Sequence, residues 1–124
     1  MITIGVSEVP VSPNGNNGLL RMHWTRRRKY FQKWQHLIRA EITYSPEKPE
    51  KKKQRVHILQ FRKQLLDKDN LYSSCKPLLD AACNLNLLYG DSTEWIDLEV
   101  NQQISRTQWT IITIMDISKE QPNA

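Results

Sequence analysis

WIDLEVNQQISRTQWTIITIMDI, residues 95–117, is the stretch on which the fold turns. In its first half Ile96, Leu98 and Val100 fall on one face of an extended chain, and Asp97, Glu99 and Asn101 on the other. That is the period of a half-buried strand. Its second half, residues 109–117, is apolar at both parities and so reads as a central strand, covered on both faces. The polar SRTQ between them reads as a turn, and the two runs are expected to pair as a hairpin.

Working outward, residues 70–85 carry Leu71, Cys75, Leu78, Leu79 and Ala82 at helical spacing, a core-facing stripe. Ser73, Lys76 and Asp80 fall on the opposite face. Pro77 would cost about 3 kcal/mol inside a regular helix, so a bend or a loose first turn is expected near Ser73 or Ser74. Residues 55–63, RVHILQFRK, read as a strand. Residues 44–53, with two prolines and a lysine run, read as a solvated connector. A helix is expected over 25–42, a loop over the Pro-, Gly- and Asn-dense 9–19, and a short strand over 2–6. The tail 118–124 should fray. The expected fold is therefore α+β, one small domain over 1–124 in the order β-α-β-α-β-β, a mixed sheet packed by two helices.

The chain's 124 residues suit a single core. A mean hydropathy of −0.62 and the lack of a long apolar run argue against a membrane span. No charged-then-apolar leader follows Met1, so no secretory signal is expected. Cys75 and Cys83 are too far apart for a CxxC pair and too few for a disulfide framework; reduced thiols are expected. The net charge of +5 hides an asymmetry: residues 1–63 hold 14 Lys and Arg against 4 Asp and Glu, and residues 64–124 hold 4 against 9. Such a division suggests a polyanion gripped by the first half and a cation held by the second, although small domains are often lopsided for solubility alone.

DKDNLYSSCKPLLD, residues 67–80, concentrates the candidate chemistry. Asp69 or Asn70 as a helix N-cap accounts for one polar group. It does not account for two acids one residue apart, with Asp91 beyond the helix. Unpaired carboxylates raise one another's pKa when brought together, and a divalent cation reverses that sign. Mg²⁺ takes a few carboxylate oxygens and keeps water elsewhere. Bound water of lowered pKa is a nucleophile for phosphodiester hydrolysis. Asp80, four residues after Lys76, has the spacing of an intrahelical ion pair, which either orients the lysine or is a solvated surface pair.

The run from Asp67 to Val100, with its D-x-D-N, its KPLLDA helix and its D-S-x-x-W approach to a strand, resembles the signature segment of the RusA family of Holliday junction resolvases. NNGLLRMHWTRRRKYFQKW, residues 16–34, resembles that family's N-terminal segment more loosely. The resemblance implies a homodimeric, Mg²⁺-dependent endonuclease (Mn²⁺ as a substitute) that cuts four-way DNA junctions in recombination and repair. Its metal-binding acids fall on Asp67, Asp69 and Asp91, and its helix lysine on Lys76. Gly90 stands where family members often carry a second aspartate. Lys76 also lies three residues beyond the compact motif, in which Ser73 would take the lysine's place. Three helical residues turn about 300° and advance about 4.5 Å, which returns Lys76 to nearly the same face.

In the basic half, Arg26, Arg27, Arg28 and Lys29 crowd the start of the first helix, the wrong end of the macrodipole for cations unless phosphates compensate. His23 reads as a hydrogen-bonding residue, and Trp24 as a loop anchor rather than a platform for an exposed base. Arg62 and Lys63 lead toward Asp67 and, with Ser73, complete the expected DNA contacts. A cytoplasmic protein of a prokaryote, phage- or prophage-encoded, is the expected setting. The competing expectation is a branched-DNA-binding module of the same fold without turnover.

Overall fold

The computed structural model describes residues 1–15 and 18–117; the expected frayed tail, 118–124, lies outside the described residues. Strand β1 (Ile2–Val6) is followed by a 3₁₀ turn at Leu19–Arg21, helix α1 (Trp24–Ala40) and strand β2 (Gln54–Arg62). Helices α2 (Lys68–Ser73) and α3 (Lys76–Asn84) come next, then β3 (Ile96–Ile104) and β4 (Trp109–Asp116). This is a small α+β domain with a four-stranded mixed sheet, as the periodicities indicate. No helix of the described residues is long and apolar enough to cross a membrane.

The sheet order is β1-β4-β2-β3, which overturns the expected hairpin. β3 lies parallel to β2, and β4 pairs antiparallel with both β1 and β2, so β2 separates β3 from β4. Residues 105–108 are therefore a bridge over the end of β2. Ser105 N donates to Arg62 O at 2.8 Å and Lys63 N to Gln108 Oε1 at 3.1 Å. Crossing two strand spacings needs about 10 Å, which four residues reach easily. β4 does take the central position that its two apolar parities imply, and β3, polar at one parity, takes the edge.

One core cluster gathers Trp34 and Ile38 of α1, Leu71 of α2, Leu78 of α3, and the strand residues Val56 and Ile112. All three helices thus lie against the same face of the sheet. Along β2 the burial alternates strictly from Gln54 to Arg62. The expected bend of the second helix is a full break. Ser74 closes α2, and Cys75, with φ −83° and ψ −6°, opens α3. Pro77 sits in the first turn of α3, where its missing N–H has no partner to lose. Past α3, Asn86 adopts φ 62°, a left-handed turn that asparagine tolerates, and its side-chain amide donates to the carbonyls of Pro46 and Glu47. The 44–53 connector is thereby tied to the end of α3.

Candidate functional site

The N-cap of α2 is Asp67, not Asp69 or Asn70. Its Oδ1 accepts from Asn70 N at 2.9 Å and its Oδ2 from Asn70 Nδ2 at 3.0 Å. Asn70 Oδ1 in turn accepts from Asn14 Nδ2 at 2.7 Å. Asn70 therefore locks the D-x-D-N turn to the loop before α1. Asn14 had no local signal in the sequence, because its partner lies 56 residues away. Asp69 is exposed in the first turn of α2.

Lys76 opens α3 and binds two carboxylates. Its Nζ lies 2.7 Å from Asp91 Oδ2 and 3.0 Å from Asp80 Oδ1. The expected Lys76–Asp80 pair thus forms, and Asp91, fifteen residues away, joins it. The hydrogen bond that Lys76 donates to Asp91, then that to Asp80, raises the Lys76 pKa above its ordinary value, so the ammonium stays charged. Asp91 is held there by the turn after α3, where Gly90 packs against Trp95. A Cβ at residue 90 would come within 2.9 Å of the Trp95 ring, which itself leans on Tyr89 with centroids 4.4 Å apart. A side chain at residue 90 would therefore have to displace the Trp95 ring.

Lys76, Ser73, Asn70 and Asn14 share the rim of an open cleft of about 680 Å³ whose walls are mainly apolar, Leu19 and Leu98 among them. Ser73 and Lys76 lie on the exposed side of the broken helix, as their spacing indicates. Tyr72 braces α2 on the sheet edge, its hydroxyl accepting from Val100 N at 3.2 Å.

Arg62 is a correction. It is only 6% exposed, and its Nε donates to Gln60 Oε1 at 2.6 Å while its Nη2 donates to Pro10 O. Gln60 Nε2 continues the network to Ser74 Oγ at 3.1 Å and Cys75 Sγ at 3.3 Å. Even parity in β2 turns Arg62 under the helices, where it supports the α2–α3 break and cannot meet a DNA phosphate. Desolvation lowers its pKa. Lys63, at the other parity, is exposed.

At the start of α1, His23 is the N-cap, its Nδ1 accepting from Thr25 N at 3.3 Å. That is the hydrogen-bonding role expected of it. Arg26, Arg27, Arg28 and Lys29 are all exposed, but Arg27 Nη2 is partly committed to Leu19 O at 3.1 Å. Trp24, the first residue of α1, is 68% exposed with its ring tilted against that of His23 at 5.6 Å between centroids, so it is not the buried loop anchor expected.

Asp67, Asp69 and Asp91 offer oxygen only, the donor chemistry that suits Mg²⁺. Among the described residues, however, no three acidic, histidine or cysteine side chains gather closely enough to enclose an ion. Asp67 is engaged with Asn70, and Asp91 with Lys76. The donor set thus fits a hard cation in type, with Lys76 neutralising one member. No model of a known protein family matches the chain, and no curated protein matches it.

Proposed function

We propose that this chain is a Mg²⁺-dependent endonuclease of branched DNA, four-way junctions foremost, as the likeness of residues 67–100 to RusA-family resolvases implies. The observation that carries the reading is the contact between Lys76 and Asp91 at 2.7 Å. Two polar residues singled out by the motif, on different elements, meet, and Lys76 shares a cleft with Asn70 of the D-x-D-N turn. A purely structural origin for the motif does not require that meeting.

Asp67, Asp69 and Asp91 are the residues that would hold Mg²⁺, which when bound supplies an activated water and neutralises phosphate charge. The chain's own groups do the rest. The Lys76 ammonium stabilises charge developing on the phosphate or the leaving oxygen, and Asp80 keeps a partner within reach of that ammonium when Asp91 is engaged elsewhere. Asn70 and Ser73 present polar groups along the same cleft rim. Arg26, Arg28, Lys29 and Lys63 supply exposed cations for backbone phosphates.

The test is nicking of a synthetic four-way junction with Mg²⁺ or with EDTA, beside Asp69→Asn and Asp91→Asn. Mg²⁺-dependent strand scission, lost in both variants, is the expected outcome. Tight junction binding by the intact chain with no scission would refute the enzyme reading. It would favour the second one, a junction-binding module of the same fold.

A further inference from the structure

Lys76 is itself a cation seated on one of the three carboxylates assigned to the ion. Its Nζ lies 2.7 Å from Asp91 Oδ2 and 3.0 Å from Asp80 Oδ1. The two contacts differ in kind. Asp80 is one turn along the same helix, so that pair is set by α3 alone. Asp91 comes from the segment between α3 and β3 and meets the lysine only because the chain folds back. On the nuclease reading, in which Asp91 is an ion ligand, we infer that Lys76 competes with the divalent cation for that carboxylate. The lysine lowers the chain's affinity for the ion, and it passes to Asp80 when the ion takes Asp91.

The physical grounds are charge, exposure and connectivity. An ammonium and a doubly charged ion on one carboxylate are like charges a few ångströms apart. Their repulsion lowers the ion's affinity by about 10-fold even where water screens it. The exchange costs little desolvation, because the side chains of Lys76, Asp91 and Asp80 are 54%, 32% and 35% exposed. It also leaves no charge uncovered. Positions i and i+4 face each other on a helix, so Lys76 keeps Asp80 without any movement of the backbone.

Lys68 supplies the contrast. It stands between Asp67 and Asp69 in the sequence, is exposed, and pairs with no acid among the described residues. Nearness in sequence to the acids therefore does not bring a lysine onto a carboxylate here; the return of Asp91 does. A lysine that only held that return in place would, on removal, loosen Asp91 and weaken the ion. A competitor does the opposite, so loss of Lys76 should tighten the ion while it abolishes nicking.

Mn²⁺ binding to the full chain without DNA tests the proposal apart from any turnover, with electron paramagnetic resonance reading the free ion and Mg²⁺ as the competitor. Lys76→Met should bind Mn²⁺ about 10-fold more tightly than the wild-type chain. Lys68→Met removes the same charge but uncovers no carboxylate, and should change the affinity by less than about 3-fold. Asp80→Asn leaves Lys76 with Asp91 alone. It should weaken binding about 3-fold in the otherwise intact chain and hardly at all in the Lys76→Met background. Direct attraction of the ion by Asp80 would instead give the same loss in both.

Circular dichroism checks the fold, and Lys76→Gln, with the same expected gain, stands in should Lys76→Met not fold. Unchanged or weaker Mn²⁺ binding in a folded Lys76 variant, with Asp91→Asn still lowering the wild-type affinity, would overturn the proposal and leave the metal reading standing. Equal gains from Lys68→Met and Lys76→Met would overturn it too, as a general effect of charge. No Mn²⁺ bound by either the wild-type chain or Lys76→Met, or binding indifferent to Asp91→Asn, would refute the metal site itself and the proposal with it.

Discussion

Arg62→Met separates a structural arginine from a DNA-contacting one. The substitution keeps an unbranched apolar stem but removes the donors to Gln60 Oε1 and Pro10 O, both in buried surroundings. Each of these two buried acceptors left without its donor costs about 1–3 kcal/mol, about 2–6 kcal/mol together. Removing the desolvated charge returns part of that, so a net loss of about 3 kcal/mol is expected. Unfolding entropy of about 2.1 cal/mol/K per residue amounts to about 0.26 kcal/mol/K for a chain of this length. The melting temperature should therefore fall by about 12 °C. Arg62→Lys, which lacks the planar fork but retains a donor, should lose about half as much. Calorimetry supplies the stability change, and fluorescence anisotropy on a labelled junction, repeated across salt concentrations, supplies the other half of the test. A phosphate contact contributes about 0.9 to the slope of log K against log salt. With Arg62 buried, that slope should be unchanged. An unaltered melting temperature together with a slope reduced by about one would refute the assignment.

Lys76→Met should leave stability within about 1 kcal/mol, because its ion pairs are solvent-screened, yet lower junction nicking by at least about 100-fold. Equal losses in stability and in nicking would make the lysine merely structural. Arg26→Ala with Arg28→Ala should reduce the salt slope of junction binding by about two, and an unchanged slope would place the phosphates elsewhere. Gly90→Asp should destabilise the chain by about 1–3 kcal/mol through overpacking against Trp95. Trp fluorescence and urea unfolding would register this, and unaltered stability would contradict the packing account. Burial pushes the Cys75 thiol from its ordinary 9.0 up to about 11. The folded chain keeps that proton where the unfolded chain releases it, so stability should decline as pH rises from 9 toward 11, by on the order of 2 kcal/mol. Cys75→Ala should lower stability at neutral pH yet flatten this alkaline decline in urea titrations; a decline of the same depth would assign it to other groups.

Local pattern carried much of this protein. The parity of β3, the apolar stripe of the second helical segment and the bend expected near Pro77 all follow from local pattern. That is a property of each residue and its near neighbours. The Lys76–Asp80 pair was legible for the same reason, at i and i+4. Burial of Arg62 was legible in principle, since it shares the parity of Val56 and Ile58, but its charge argued the other way. What overrode the charge was a set of acceptors on Pro10 and Gln60, and only the folded chain brings Pro10 there.

Strand order was not legible. A four-residue polar link serves equally well as a hairpin turn or as a bridge across the end of a third strand. The sequence by itself determined the strand and helical segments, most of their core-facing positions and where Lys76 and the three aspartates fall along them. Only the tertiary structure decided that β2 slots between β3 and β4, that Asn14 locks the D-x-D-N turn and that Asp91 returns to Lys76. Each of those is a pairing between segments far apart in the chain, and it is selected by the free energy of the whole core, not by the preferences of either partner.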